Sequence, residues 1–210
     1  MIICGIDEAG RGPLAGPVCA AAVILGGNFP LDILNDSKKL NVFHRIKARR
    51  IILEKALCYG IGWASHVEID SINILQASLL AMKRAFIDMV RRETERQSIP
   101  SGENISVIID GKFIPGIIND SCYLQKIKIM ECKAVVKADA QVPQVMAASI
   151  LAKTERDSLM DEMALLYPQY GYDKHKGYPT KAHREAVLKL GPSPIQRLSF
   201  KVKSCYNPAF

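Results

Sequence analysis

Apolar and polar positions along this chain repeat with two different periods, and the switching between them predicts an α/β protein. Ile2, Ile3 and Ile6 form a short apolar run ending on Asp7 and Glu8, which reads as a buried strand delivering two neighbouring carboxylates. Neighbouring side chains of a regular strand face opposite ways, so both acids serve one site only if the strand breaks there; Gly10 and Gly12 predict that break. Val18 to Leu25 is a second apolar run, closed by Gly26, Gly27 and Pro30, and pairs with the first as a hairpin. Phe43 to Cys58 reads as a helix carrying Arg45, Lys47, Arg49, Arg50 and Lys55, with a third strand over Gly60 to Ser65. Ile72, Leu75, Leu79, Met82, Phe86 and Met89 then recur at helical spacing, the stripe of a long helix packed on a core. Ile105 to Ile109 repeats the design of the first strand and delivers Asp110 directly into Gly111. Short strands are expected near Ile127 to Met130 and Ala134 to Val136. Asp139 follows them, ahead of a helix running to about Leu166, and a last helix spans Lys181 to Leu190.

With 210 residues, 49% apolar and 23% charged, the chain is long enough for one substantial core and is no candidate for disorder. Its formal charge of +7 favours a polyanionic partner such as nucleic acid. The cysteines at 4, 19, 58, 122, 132 and 205 form no C-x-x-C pair and read as reduced, mostly buried thiols. No basic leader precedes Asp7, and no window nears the length of about eighteen apolar residues that a membrane span needs, so a soluble cytoplasmic protein without a membrane partner is expected.

Asp7, Glu8, Asp110 and Asp139 converge if their three strand ends are neighbours in one sheet. Clustered carboxylates raise one another's pKa, and hard divalent cations relieve this; an all-oxygen donor set suits Mg²⁺ or Mn²⁺ rather than zinc. Two such ions about 3.5–4 Å apart activate water and stabilise the leaving oxygen of an in-line displacement, which predicts hydrolysis of a phosphodiester. The plain alternative for a lone acid before a helix, such as Asp139, is a cap; Asp120 is a rival for the fourth position, but its neighbourhood Ile-Ile-Asn-Asp-Ser reads as an ordinary turn. Gly10-Arg11-Gly12 is either a tight turn with a solvated arginine or a strap that lets backbone groups approach a sugar-phosphate. Ser37, Lys38 and Lys39 offer a phosphate cradle or merely a solvated surface. Ser149, Lys153 and Arg156 share one helix face, either a hydroxyl with two cations for the substrate or a solvated face; Tyr167 to Arg184 interleaves tyrosines with cations, a pattern suited to stacking on sugars while gripping phosphates, with some of the tyrosines expected in the core. Of these tyrosines, Tyr178 is the one placed at the substrate.

Other classes fit less well. Gly10-x-Gly12-x-x-Ala15 follows a strand, as in dinucleotide-binding enzymes, but the next element reads as another strand where that fold needs a helix. A P-loop fails because Arg11-Gly12 stands where Lys-Ser/Thr is required. A non-catalytic nucleic-acid-binding module explains the charge and the tyrosines, and leaves the clustered acids unexplained.

In their order along the chain, GIDEAGRGPLAGPV (5–18), DSKKL (36–40), Asp110-Gly111, KADAQVPQVMAASILAKTERD (137–157), YPQYGYDKHKGYPT (167–180) and SPIQRLSF (193–200) closely resemble the ribonuclease HII family, the type 2 ribonucleases H. The resemblance implies one ribonuclease H type 2 domain over 1–210. Its catalytic core, to about 166, is a mixed central sheet flanked by helices; a helical extension over about 167–210 closes on the substrate. It implies a usually monomeric endonuclease acting on RNA–DNA hybrids and on duplex DNA containing single ribonucleotides. Such an enzyme cuts 5′ to the ribonucleotide and leaves 3′-hydroxyl and 5′-phosphate ends. By motif position Asp7, Glu8, Asp110 and Asp139 match the metal-binding carboxylates, Gly10, Arg11 and Gly12 the loop that contacts the 2′-hydroxyl, and Tyr178 the tyrosine that stacks on the neighbouring deoxyribose. Three features depart from the family pattern: Gln196 stands where SPIHR has histidine, Ala138 replaces a frequent glycine, and the 110–139 segment is long.

Overall fold

The computed structural model describes residues 2–34, 40–99, 103–116 and 127–202. A five-stranded sheet forms its centre, in the order β3-β2-β1-β4-β5. Strands β1 (Ile2–Ala9), β2 (Val18–Leu25) and β3 (Ala56–Ala64) make an antiparallel meander, while β4 (Asn104–Asp110) and β5 (Lys128–Val135) run parallel to β1. Helices cover both faces. α1 (Val42–Lys55) and α3 (Pro143–Leu166) lie on one, α2 (His66–Arg96) on the other, and the short α4 (Tyr172–His175) and α5 (Lys181–Leu190) follow α3.

Alternation along the strands divides the core in two. Cys4, Ile6, Val18, Ala20 and Ala22 meet α2, whereas Cys19, Ala21 and Val23 meet α1 and α3. The middle of α3 is buried nearly all round, from Ala147 to Ala152, and it crosses β1 very closely: a methyl at Gly5 would sit 2.2 Å from the Gln144 carbonyl carbon. That approach brings the first turns of α3 over the C-terminal half of β1, where the two acids lie.

Several elements differ from the periodic reading. α1 stops at Lys55, and the stretch from Ala56 is strand, with Ala56, Cys58, Gly60, Gly62 and Ala64 buried in strict alternation. The tract over 128–135 is one strand rather than two short ones; Glu131 and Lys133 interrupt its apolar run, which an exposed sheet edge tolerates. α2 opens with a capping box between Ser65 and Glu68 and kinks at Asn73, whose φ is 67° and whose Oδ1 accepts the N–H groups of Leu75 and Gln76, so the helix is capped afresh. Beyond the kink the buried face uses Ala77, Ala81 and Ala85 beside Met82, Phe86 and Met89, and Ile72 is left exposed. Among the described residues no helix is long and apolar enough to cross a membrane.

Candidate active site

Three segments end side by side. β1 and β4 are parallel neighbours, with Ile6 opposite Ile109, so Asp7 and Asp110 leave the same end of the sheet. The third carboxylate sits on a 3₁₀ turn, Ala138–Ala140, between β5 and α3. Asp110 ties that turn down by accepting the Ala138 N–H on Oδ1 at 2.8 Å. One carboxylate oxygen from each of Asp7, Asp110 and Asp139 falls within 4.8 Å of the others, with Asp7 and Asp139 buried. Asp139 is thus no cap of α3, whose N-cap is Val142.

No break in the strand separates Asp7 from Glu8. β1 stays paired through both, Asp7 opposite Ala21 and Glu8 opposite Ala20, yet at this end of the sheet both acids line one cleft, so the pleat does not keep them apart. Glu8 lies outside the three-carboxylate group but lines the same cleft, about 240 Å³ in volume. Its Oε1 is 3.4 Å from the Arg11 guanidinium, and its Oε2 is buried with no hydrogen-bond partner among the described residues. Burial, then the neighbouring Glu8 carboxylate, push the Asp7 carboxyl well above the usual range, against a hydrogen bond from Ser149. Burial raises Glu8 too; Arg11 opposes the rise and Asp110 adds to it. Converging oxygens, an all-carboxylate donor set and an orphaned buried oxygen together fit a hard divalent cation.

The cleft wall comes from Gly10, Arg11, Gly12, Ser149, Lys153 and Tyr178. Ser149 places its hydroxyl on Asp7; Lys153 Nζ is 2.7 Å from Asp157 and 5.5 Å from the centre of the Tyr178 ring. Arg156 departs from the expected cationic face. It is fully buried, and its guanidinium donates to the carbonyls of Ala15, Pro17 and Lys176. Ser37, Lys38 and Lys39 lie outside the described residues, as does Asp120.

Gly10 and Gly12 are glycines for different reasons. At Gly10 φ is +101° and an added methyl would meet Arg156 Nε at 2.1 Å, whereas at Gly12 it would meet only the Tyr178 ring at 3.8 Å. The fold demands the first and leaves room for a side chain at the second. Sequence reasoning missed Arg197, a fully buried residue whose guanidinium grips the same loop, because a single arginine in a tail carries no periodic signal and only its place in SPIQRLSF marks it.

A larger cleft, about 590 Å³, lies between His66–Ser71 and Pro192–Leu198 and shares no residue with the first. Its one carboxylate, Asp70, is taken up by the N–H groups of Leu198 and Ser199, so volume does not make it the reactive site.

The family model described as ribonuclease HII matches residues 4–203. A ribonuclease HII of Treponema denticola is 52% identical over 206 residues, covering 97% of this chain and all of that relative. Among solved structures, the ribonuclease H2 of Pyrococcus horikoshii OT3 superposes with a TM-score of 0.66 at 24% identity, over 96% of this chain and 95% of that one. A chain of the PCNA:RNase HII complex from Archaeoglobus fulgidus does so with 0.68 at 22%, over the whole of both. At these identities the two structures speak for the fold alone.

Proposed function

The chain belongs to the ribonuclease HII family, and from that premise we propose that this metal-dependent ribonuclease cuts RNA–DNA hybrids and nicks duplex DNA on the 5′ side of single embedded ribonucleotides. The observation that carries the reading is the convergence of Asp7, Asp110 and Asp139 within 4.8 Å, with Asp7 and Asp110 lining a cleft walled by the Gly10–Gly12 strap and Tyr178. Asp7, Asp110 and Asp139 hold Mg²⁺ or Mn²⁺ in this reading, with the orphaned oxygen of Glu8 available as a further ligand. Bound divalent ions supply a nucleophilic water near neutral pH and charge to stabilise the leaving 3′-oxygen.

The remaining work belongs to the protein. Ser149 orients Asp7 through its hydroxyl, and the N–H of Ala138 orients Asp110. The strap, free of side-chain bulk at Gly12, admits the 2′-hydroxyl to backbone distance, while Tyr178, 38% exposed, offers a face to the adjoining deoxyribose. Arg11 and Lys153 contribute cations to the phosphates; Ser37, Lys38 and Lys39 are proposed to extend that contact. A binding module without catalysis leaves three converging carboxyl groups beside a cleft without a purpose.

The test is product mapping on a duplex with one ribonucleotide and on an RNA–DNA hybrid. The expected cut lies 5′ to the ribonucleotide and leaves a 3′-hydroxyl and a 5′-phosphate. A cut on the 3′ side, or a 2′,3′-cyclic phosphate end, which requires attack by the 2′-hydroxyl, contradicts the reading.

A further inference from the structure

The loop from Gly10 to Pro17 is held mainly by its carbonyl oxygens, beside the N–H groups of Leu14 and Gly16, which donate to Gly177 and Ile195. Arg197 donates to Gly10 at 2.6 Å, Pro13 and Gly16 at 2.8 Å, and Arg11 and Pro17 at 3.1 Å. Its backbone N–H takes Leu14, and Arg156 takes Ala15 and Pro17. Both guanidinia have 0% exposure. Burying a cation costs several kcal/mol, and apolar side chains would fill the same space without that cost, so packing alone does not account for two arginines here. What a guanidinium offers instead is a rigid fork of five donors that fixes where carbonyls sit.

That geometry has a consequence at the cleft. Peptide units are planar and trans, so a carbonyl turned onto Arg197 directs the following N–H the other way. With the carbonyls of Gly10 and Arg11 turned inward, the N–H groups of Arg11 and Gly12 face away from the buried guanidinium, at two residues that are themselves exposed. Arg156 adds a second link. It joins the far half of the loop that carries the strap, at Ala15 and Pro17, to the carbonyl of Lys176, two residues before Tyr178, while Leu14 N–H donates to Gly177 O at 2.8 Å. The strap and the tyrosine arm are thereby built as one piece.

We propose that Arg197, seconded by Arg156, is a positioning residue for ribonucleotide selectivity: the two guanidinia fix the strap's outward N–H groups and their separation from Tyr178. This rests on the reading of strap and tyrosine as the ribonucleotide reader. A duplex with one ribonucleotide offers a single register and a single 2′-hydroxyl, so it depends wholly on that preset geometry. An RNA tract offers many registers and a continuous run of phosphates, and depends on it less.

The test compares kcat/KM on the two substrates for the wild-type chain, Arg197→Lys and Arg156→Lys. Lysine keeps the charge and loses the fork. Arg197→Lys is expected to lose about a hundredfold on the single-ribonucleotide duplex and about tenfold or less on the hybrid tract, with the Mg²⁺ concentration for half-maximal rate unchanged, because Asp7 and Asp110 sit on the sheet and Asp139 on the turn that Asp110 ties down, none of them on the loop Arg197 holds. Arg156→Lys, which releases fewer carbonyls, is expected to shift the ratio in the same direction by less, and it decides the matter should Arg197→Lys fail to fold. Equal losses on both substrates, or an unchanged ratio in a folded variant, overturn the inference while leaving the nuclease reading intact. A wild-type chain that cuts hybrids but never the single ribonucleotide overturns the reading of the strap, and this inference with it.

Discussion

Single side chains around the cleft carry two kinds of demand, from the fold and from the substrate, and the glycines separate them. Gly10→Ala forces a non-glycine residue to φ +101° with its methyl on Arg156, and is expected to cost about 2 kcal/mol or more in a denaturant melt. Gly12→Ala meets only an ordinary contact with Tyr178, so it should melt within about 0.5 kcal/mol of the wild type while losing nicking at single ribonucleotides. Gly12→Ala with full nicking would remove Gly12 from the proposed reader. The difference was not legible in the motif Gly-Arg-Gly, which shows two equivalent glycines; it emerges only once Arg156 passes under one of them. The same holds for Arg156, whose place beside Ser149 and Lys153 on a helical wheel suggested a substrate cation, although the turns packed over it bury it completely.

At the scale of elements, what the sequence disclosed follows the strength of the local signal. β1, β2, β4 and α5 were legible because their apolar runs or helical periods are clean and flanked by Gly, Pro or a capping Thr180. The start of β3 was not, because Ala56, Leu57 and Cys58 extend a helical pattern as well as they begin an alternating one. The face of α2 was half legible, since alanines at 77, 81 and 85 bury a surface that hydrophobicity scales rank low. One layer carries a pH prediction. His175 and His183 stack at 4.4 Å behind the Tyr178 arm, and burial, first among the causes, lowers both below the ordinary imidazole value of 6.5. His175 Nδ1 accepts the Gly177 N–H and is therefore the unprotonated nitrogen. In the fold both rings stay neutral where the unfolded chain's rings charge, so the stability they contribute is complete above the ordinary value and is lost as pH falls below it. Thermal melts between about pH 8 and pH 5 should show a steeper acid decline for the wild type than for the His175→Asn, His183→Asn double variant. Equal slopes would show that this pair does not govern the acid limb.

Taken as a whole, the molecule is a sheet that brings three distant segments to one end, and a C-terminal stretch whose buried arginine fastens the loop beside them. The carboxylates were legible as acids at the ends of apolar runs; that Asp139 joins Asp7 and Asp110, while Glu8 stands apart from them, depends on strand order and on the turn after β5, which no local pattern encodes. The central claim is that these carboxylates hold divalent ions for phosphodiester hydrolysis at a ribonucleotide. Its most direct test is nicking of a duplex bearing one ribonucleotide, by wild type and by Asp7→Asn, Asp110→Asn and Asp139→Asn, with Mg²⁺, with Mn²⁺ and with a chelator. The wild type should nick only with metal, and each variant should fall by about a thousandfold, equivalent to about 4 kcal/mol, with its fold intact by circular dichroism. Nicking that survives the chelator, or a folded variant of any of the three that keeps wild-type rate, would contradict the claim.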